Sequence, residues 1–336
     1  MISLANAPGR LRGARPCDKI EAVLGAEHLL AVHDLTVVYR DTPAVEGATF
    51  EIEPGEVAGV LGESGSGKTT LALAIPGLLA PGARVLRGSV RWRGAELLGL
   101  AERRLEAIRG AEIAVIFQEP ALALNPVLRV GDQIAEVIRA HRNWPRRRVR
   151  EHAAAVLARL CPQETGRIFD SYPHQLSGGQ RQRVAIAQAV ALEPALIVAD
   201  EPTASLDPTV QAEVLAVLGE LRRDGSAILL VTHHPALLAG LADRAFVMYA
   251  GRIVEQGTFA EICGAPRHPY TRALLACAPG LRAGARGRLA TIPGAPPDPS
   301  EASRGCPFAP RCPEQTGLCG SSDPPGGRVR CFHHAA

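Results

Sequence analysis

The stretch Gly62-Glu63-Ser64-Gly65-Ser66-Gly67-Lys68-Thr69-Thr70 decides how this chain is read. It fits the pattern G-x-x-x-x-G-K-[ST], a loop whose backbone N–H groups cradle phosphates. Residues 56–61 before it (EVAGVL) are short and mostly apolar, as in a buried strand. Residues 69–79 after it are rich in Ala and Leu and read as a helix, with Pro76 out of place inside it. A chance Gly/Ser turn has no reason to lie between a buried strand and a helix, so the context turns a pattern into a site. Glycines let the backbone approach the phosphates, and the helix N-terminus adds its positive end. Lys68 has the reach for the β- and γ-phosphates, and the Thr69 hydroxyl can hold Mg²⁺.

Working outward, 336 residues at 46% apolar content suffice for one large α/β domain and a smaller appendage. A net charge of +3 points to no polyanionic partner, so nucleic acid is not expected. No apolar run reaches the roughly eighteen residues of a membrane span. The first sixteen residues lack the apolar centre of a signal peptide, so a cytoplasmic chain is expected. There, eight cysteines read as thiols or metal ligands rather than disulfides.

Residues 1–26 mix Gly, Pro, Arg and Ala without period and read as an N-terminal extension. Strands are expected at 29–40, 48–52 and 113–117, with a surface strand within 82–94. Residues 130–160 read as helical, broken near Asn143-Trp144-Pro145. Their Arg146, Arg147, Arg148 and Arg150 read as a solvated face. A helix follows Leu176-Ser177-Gly178-Gly179-Gln180 to about residue 192. Residues 195–199 (ALIVA) form a buried strand ending in Asp200-Glu201. Residues 208–223 form a helix, and 227–231 (AILLV) a strand ending at Thr232-His233. Strands alternating with helices imply a mostly parallel sheet covered on both faces. After about Cys263 the chain becomes rich in Pro, Gly and Arg and holds six of the eight cysteines, so a domain boundary is expected there.

A phosphate loop needs a Mg²⁺-binding acid at the end of a neighbouring strand. Asp200 stands at the carboxyl end of its strand, where open α/β sheets bind ligands. Glu201, next in the chain, can orient and deprotonate an attacking water. His233 and Gln118 each end an apolar strand of the same sheet. From there His233 could touch the γ-phosphate, and Gln118 could sense Mg²⁺ or water.

In this order the motifs resemble the ATP-binding subunits of ABC transporters. Residues 176–180 (LSGGQ) match that family's signature motif without departure. Gln118 matches the Q-loop, Ser205-Leu206-Asp207 the D-loop and His233 the switch histidine. Tyr39 stands where the family places the ring that stacks on adenine. The resemblance implies an α/β P-loop ABC ATPase over residues 27–262. It would comprise a mostly parallel sheet, an antiparallel β subdomain and a helical subdomain at about 120–190, with a small loop-rich domain at 263–336. It implies an ATP site built from Tyr39, Gly62, Ser64, Gly65, Gly67, Lys68, Thr69 and Thr70. Mg²⁺ would be held by Thr69, Gln118 and Asp200, and catalysis carried by Glu201, His233 and Gln118. Ser177, Gly178, Gly179 and Gln180, with Asp207, would act on the nucleotide of a head-to-tail partner. ATP would close that dimer and hydrolysis open it. Two features depart from the family pattern and bear on rate. His234 stands where members often have Asp, and Pro76 falls in the expected helix.

Glu119-Pro120 followed by Leu124-Asn125-Pro126 looks like the peptide-importer branch. Residues 267–275 (RHPYTRALL), 292–297 (IPGAPP) and 306–313 (CPFAPRCP) resemble the C-terminal region of oligopeptide and dipeptide importer ATPases. Nickel and glutathione importers share that tail. The resemblance implies an ATPase at the cytoplasmic face of the cell membrane. Its partners would be two permease subunits, a second ATPase (identical or paralogous) and, indirectly, a solute-binding protein. A soluble ABC protein fits less well, because such chains often carry two ATPase domains or inserted arms. A subunit with a silent site would not need Lys68, Asp200, Glu201 and His233.

Cys306, Cys312, Cys319 and Cys331 lie in a segment with little apolar material, where something must replace a core. Four thiolates can ligate a [4Fe–4S] cluster or Zn²⁺, or stay unligated. The missing Cys-x₂-Cys knuckle weakens zinc, and the resemblance favours the cluster. Cys17, Cys161, Cys263 and Cys277 show no such grouping, and His333 and His334 read as a solvated tail.

Overall fold

The computed structural model describes residues 28–119, 123–204, 206–278, 290–298 and 305–334. The expected extension with Cys17, residues Pro120, Ala121 and Leu122, and Ser205 lie outside them.

The centre is built by period-two alternation in strands that are buried on both faces. In β3 (Val57–Leu61), Val57 and Leu61 join one apolar cluster while Ala58 and Val60 join another. β7 (Leu196–Asp200) and β8 (Ala227–Thr232) split in the same way: Ile197 and Ile228 face one layer, Val198 and Leu229 the other. With β6 (Ile113–Ile116), β9 (Arg244–Tyr249) and β10 (Arg252–Thr258) they make a six-stranded sheet in the order β10-β9-β3-β8-β7-β6. All neighbours pair in parallel except β10, which returns antiparallel along β9. Their turn, Ala250-Gly251, has φ of 46° and 79° at its two central residues, the left-handed pair that matches strand twist. The sequence reading had no strands here, because neither segment carries a motif.

One layer over this sheet is a second, antiparallel sheet in the order β2-β1-β4-β5. Its strands are β1 (Leu30–Tyr39), β2 (Thr42–Ile52), β4 (Ala83–Trp92) and β5 (Ala95–Glu96). Between the sheets, α1 (Lys68–Ala74) buries Leu71, Ala72 and Ala74. This helix is shorter than expected. The Leu78 N–H bonds the Leu73 carbonyl at 2.8 Å and Gly77 takes φ 68°, so the chain turns at once. Pro76 therefore follows the helix rather than kinking it, and its carbonyl accepts from Arg109 Nε at 2.7 Å. α2 (Glu102–Ile108) leads from this layer into β6.

The other face carries α3 (Val130–His141), α4 (Arg146–Leu160), α5 (Thr165–Asp170), α6 (Gly178–Ala189) and α7 (Pro208–Arg223). α4 buries Val149, Ala153, Val156, Leu157 and Leu160, and leaves Arg146, Arg147, Arg148 and Arg150 in solvent as the sequence suggested. After α8 (Phe259–Gly264), α9 (Pro269–Ala276) brings the chain back to this same core. Tyr270, Leu274, Leu275 and Phe308 share one apolar cluster with Val57 and Leu61. Phe308 stands edge-on to Tyr249 at 5.2 Å and to Tyr270 at 5.4 Å. No helix among the described residues is long and apolar enough to cross a membrane.

Candidate functional site

The loop between β3 and α1 is held by backbone contacts that only glycine allows. A Cβ on Gly67 (φ 98°) would lie 2.2 Å from the Ala44 carbonyl oxygen, and one on Gly62 would lie 2.3 Å from that of Met248. Gly65 takes φ 79° with open space around it. Lys68, 5% exposed, turns its ammonium back to the Gly62 carbonyl at 2.9 Å and the Glu63 carbonyl at 2.8 Å. Burial pulls its pKa down, against the nearby charges of Glu201, Asp200 and Glu63. An ammonium buried beside a ring of peptide N–H groups is a strong anion site.

Because β3, β8 and β7 are adjacent and parallel, their carboxyl ends meet at this loop. Asp200 Oδ1 accepts from the Thr69 hydroxyl at 3.1 Å. Burial raises the Asp200 carboxyl, with Thr69 opposing and Glu201 adding to the rise. A buried acid beside a hydroxyl suits a hard cation, so the donor chemistry here fits Mg²⁺. Glu201 adopts φ 45°, a strained conformation for its residue type. Its N–H bonds the Val231 carbonyl at 2.9 Å, and its Oε2 lies 2.9 Å from His233 Nδ1. Gln118 is exposed on the rim.

Lys68, Glu201, His233 and Gln118 line one cleft of about 1050 Å³ with Tyr39, Ser64, Gly65, Gly67, Thr69 and Thr70, and the buried Asp200 lies behind Thr69. Ser177, Gly178, Gly179, Gln180 and Asp207 are not part of its wall. Ser177 caps α6, accepting from the Gln180 amide at 3.3 Å while its own amide donates to Gln180 Oε1 at 3.1 Å. A Cβ on Gly178 would meet open space, whereas one on Gly179 would lie 2.8 Å from Val210. Asp207 caps α7 through the amides of Thr209 and Val210. In place of the Asp the family often has there, the His234 backbone N–H is held by Thr232 Oγ1 at 3.0 Å.

Sequence reasoning missed the contribution of the C-terminal segment. Pro296, Pro297 and Pro307 line the same cleft. The Glu63 N–H donates to the Tyr270 hydroxyl at 2.9 Å, and Arg311 grips the Glu63 carboxylate. Tyr270 and Arg311 fall inside the stretches RHPYTRALL and CPFAPRCP that the sequence singles out, but nothing local there points to Glu63, which lies 207 and 248 positions away.

The cysteine expectation fares less well. Cys306 bonds its N–H to the Cys319 carbonyl at 2.8 Å. Burial raises its thiol, and the neighbouring Cys319, Cys312 and Cys331 raise it further. Four soft donors in one neighbourhood fit a cluster chemically. As they stand, however, no group of three or more His, Cys, Asp or Glu among the described residues is arranged to hold a metal. His334 is engaged with Glu314 at 2.8 Å. Cys161 packs into the core under α4.

Comparison with known proteins gives two family matches, in chain order. Residues 45–204 match the ABC transporter model, and residues 254–319 match that for the oligopeptide/dipeptide transporter C-terminal region. The oligopeptide transport ATP-binding protein OppD of Escherichia coli is 42% identical over 317 residues, 91% of this chain and 94% of that one. A putative peptide import ATP-binding protein of Brucella melitensis is 44% identical, covering 90% and 94%. OppD of Mycobacterium tuberculosis is 46% identical over 92% of this chain, which spans only 51% of that protein, as it does for OppD of Mycobacterium bovis. Among solved structures, the ATP-binding cassette MJ0796, dimeric with ADP and Pi, aligns with a TM-score of 0.62 at 27% identity, covering 68% of this chain and 98% of that one. CbiO1 of Clostridium perfringens aligns at 0.61 and 29%, covering 71% and 91%. With relatives matched along almost the whole of both chains, this chain belongs to the ABC transporter family, among the ATP-binding proteins of its oligopeptide group.

Proposed function

We propose that this chain binds and hydrolyses ATP to energise import of peptides through a membrane ABC permease. The observation that carries the reading is the convergence of Lys68, Thr69, Glu201 and His233 on one cleft, with the buried Asp200 hydrogen-bonded to Thr69 just behind its wall. Tyr39 stacks on the base. Gly62, Ser64, Gly65, Gly67, Lys68 and Thr70 hold the phosphates. Thr69, Asp200 and Gln118 would hold Mg²⁺, which would supply neutralisation of the phosphate charge. Glu201 orients the attacking water and takes its proton, and His233, hydrogen-bonded to Glu201, senses the γ-phosphate.

The signature residues lie outside their own cleft, which supports a head-to-tail dimer in which Ser177, Gly178, Gly179 and Gln180, with Asp207, meet the partner's nucleotide. The partner is a second copy or a paralogue, docked at the cytoplasmic face on two permease subunits that a solute-binding protein supplies. The names of the relatives favour peptide over nickel or glutathione as cargo. The reading divides the chain into an extension (1–26), an ATPase domain (27–262, helical part about 120–190) and a C-terminal domain (263–336). A [4Fe–4S] cluster on Cys306, Cys312, Cys319 and Cys331 would cross-link that last part. Iron and acid-labile sulfide in anaerobically purified protein test it, and no step above depends on it.

The experiment for the main reading has two arms. Glu201→Gln should retain ATP and lose at least about 100-fold in turnover. A mild-detergent pull-down of the tagged chain should recover two permeases and a second ATPase. Persistent turnover in the variant would remove Glu201 from its role, and recovery of soluble partners alone would sink the transport reading.

A further inference from the structure

The phosphate loop carries a charge of the wrong sign for its ligand. Glu63 is its second residue, and its carboxylate is near enough to Lys68 to act on the ammonium's proton affinity. Left alone, it would repel a triphosphate and compete for Lys68. It is not left alone. Arg311, from the turn between Cys306 and Cys312, sends one guanidinium nitrogen to Glu63 Oε2 at 2.8 Å and the other to Oε1 at 3.1 Å. This is the two-pronged geometry in which arginine binds carboxylate most strongly. The Arg311 side chain is 4% exposed and that of Glu63 26%, so water reaches the pair only from the carboxylate side. The three remaining donors of Arg311 are spent on the Pro293 carbonyl at 2.8 Å, the Tyr249 hydroxyl at 3.2 Å and the Ile292 carbonyl at 3.4 Å, which fixes the fork. On the backbone side, the fully buried Tyr270 takes the Glu63 N–H.

We propose that Arg311 is a positioning residue for ATP. It neutralises Glu63 inside the phosphate loop, draws that carboxylate toward the C-terminal segment, and so leaves Lys68 and the loop amides to the nucleotide. Tyr270 holds the adjoining peptide in place. The nucleotide site is thus incomplete without residues that follow the ATPase core in the chain. The proposal rests on the ATP-binding reading above, and its test separates the two.

The test uses the full chain with Mg²⁺ and the fluorescent nucleotide mant-ATP at low salt. Arg311→Met should raise Kd and KM about tenfold while kcat changes by less than about twofold. Adding Glu63→Gln to Arg311→Met should recover affinity to within about threefold of wild type, because the unpaired charge is gone. A purely structural brace would not be rescued by that second change. Unchanged Kd in Arg311→Met, or a double variant as weak as the single one, overturns the proposal. A wild-type chain that does not bind mant-ATP overturns the nucleotide reading itself. If circular dichroism shows Arg311→Met unfolded, Arg311→Lys keeps the charge and loses the fork. It should show a smaller loss of affinity with the same rescue, and failure of that rescue again overturns the proposal.

Discussion

His268 makes the stability of this chain acid-sensitive in a way that can be worked out from its surroundings. The ring is 1% exposed, and its Nδ1 accepts from the Tyr270 amide at 3.0 Å, capping α9. Glu255 accepts from the His268 backbone N–H at 2.9 Å, and Phe308 packs nearby. Burial, the foremost cause, lowers its pKa from 6.5 to about 4; Arg272 and His334 push the same way, while Glu314 and the Arg330 backbone oppose. The folded state therefore keeps the ring neutral while the unfolded chain takes up a proton below 6.5. Its contribution to stability is complete above that pH and is lost as pH falls toward 4. At about 1.4 kcal/mol per pH unit, the loss is about 2 kcal/mol at pH 5 and about 3 kcal/mol at pH 4. His268→Asn keeps a capping acceptor and removes the titration. In urea unfolding at pH 7.5 and 5.0, the wild type should lose about 2 kcal/mol more than the variant between the two pH values. Equal losses in the two proteins would refute the argument.

Three further outcomes follow from the geometry. Gly67→Ala places a methyl group 2.2 Å from the Ala44 carbonyl oxygen at φ 98°; it should abolish mant-ATP binding and lower stability by about 2 kcal/mol or more in urea unfolding. Phe308→Ala removes an almost fully buried ring from its contacts with Tyr249 and Tyr270; it should cost about 3–5 kcal/mol in the same assay, and a cost below about 1 kcal/mol would mean that the C-terminal segment does not share the core. Because burial raises the Asp200 carboxyl, protons should compete with Mg²⁺ there. The Mg²⁺-dependent part of ATP binding should therefore strengthen as pH rises through the acidic range, and Asp200→Asn should remove that dependence.

Much of the site is legible along the chain because phosphate binding is a local problem. A strand, a glycine-rich turn and a helix start lie within fifteen neighbouring positions, and each residue type there has a stereochemical reason. Asp200-Glu201 and Thr232-His233 are equally legible, as polar pairs that end fully buried strands. The turn from Ala74 to Leu78 was not. It depends on a backbone bond from Leu78 to Leu73 and on Arg109 reaching the Pro76 carbonyl from 33 positions away. Nor was the β9–β10 hairpin, whose strands are specified by the slot beside β3 rather than by a motif.

Sequence alone determined the phosphate loop, the acidic ends of the strands and the layered α/β class, since each rests on local stereochemistry or on the period of apolar residues, while the family was legible only as a resemblance of its motifs. Only the tertiary structure decided what the charged loop residue meets. Glu63 could have faced solvent, Lys68 or a distant cation, and the chain's return through Tyr270 and Phe308 to the main core selects Arg311. Which groups neutralise a buried charge depends on how the whole chain packs around it, and no run of neighbouring residues encodes that.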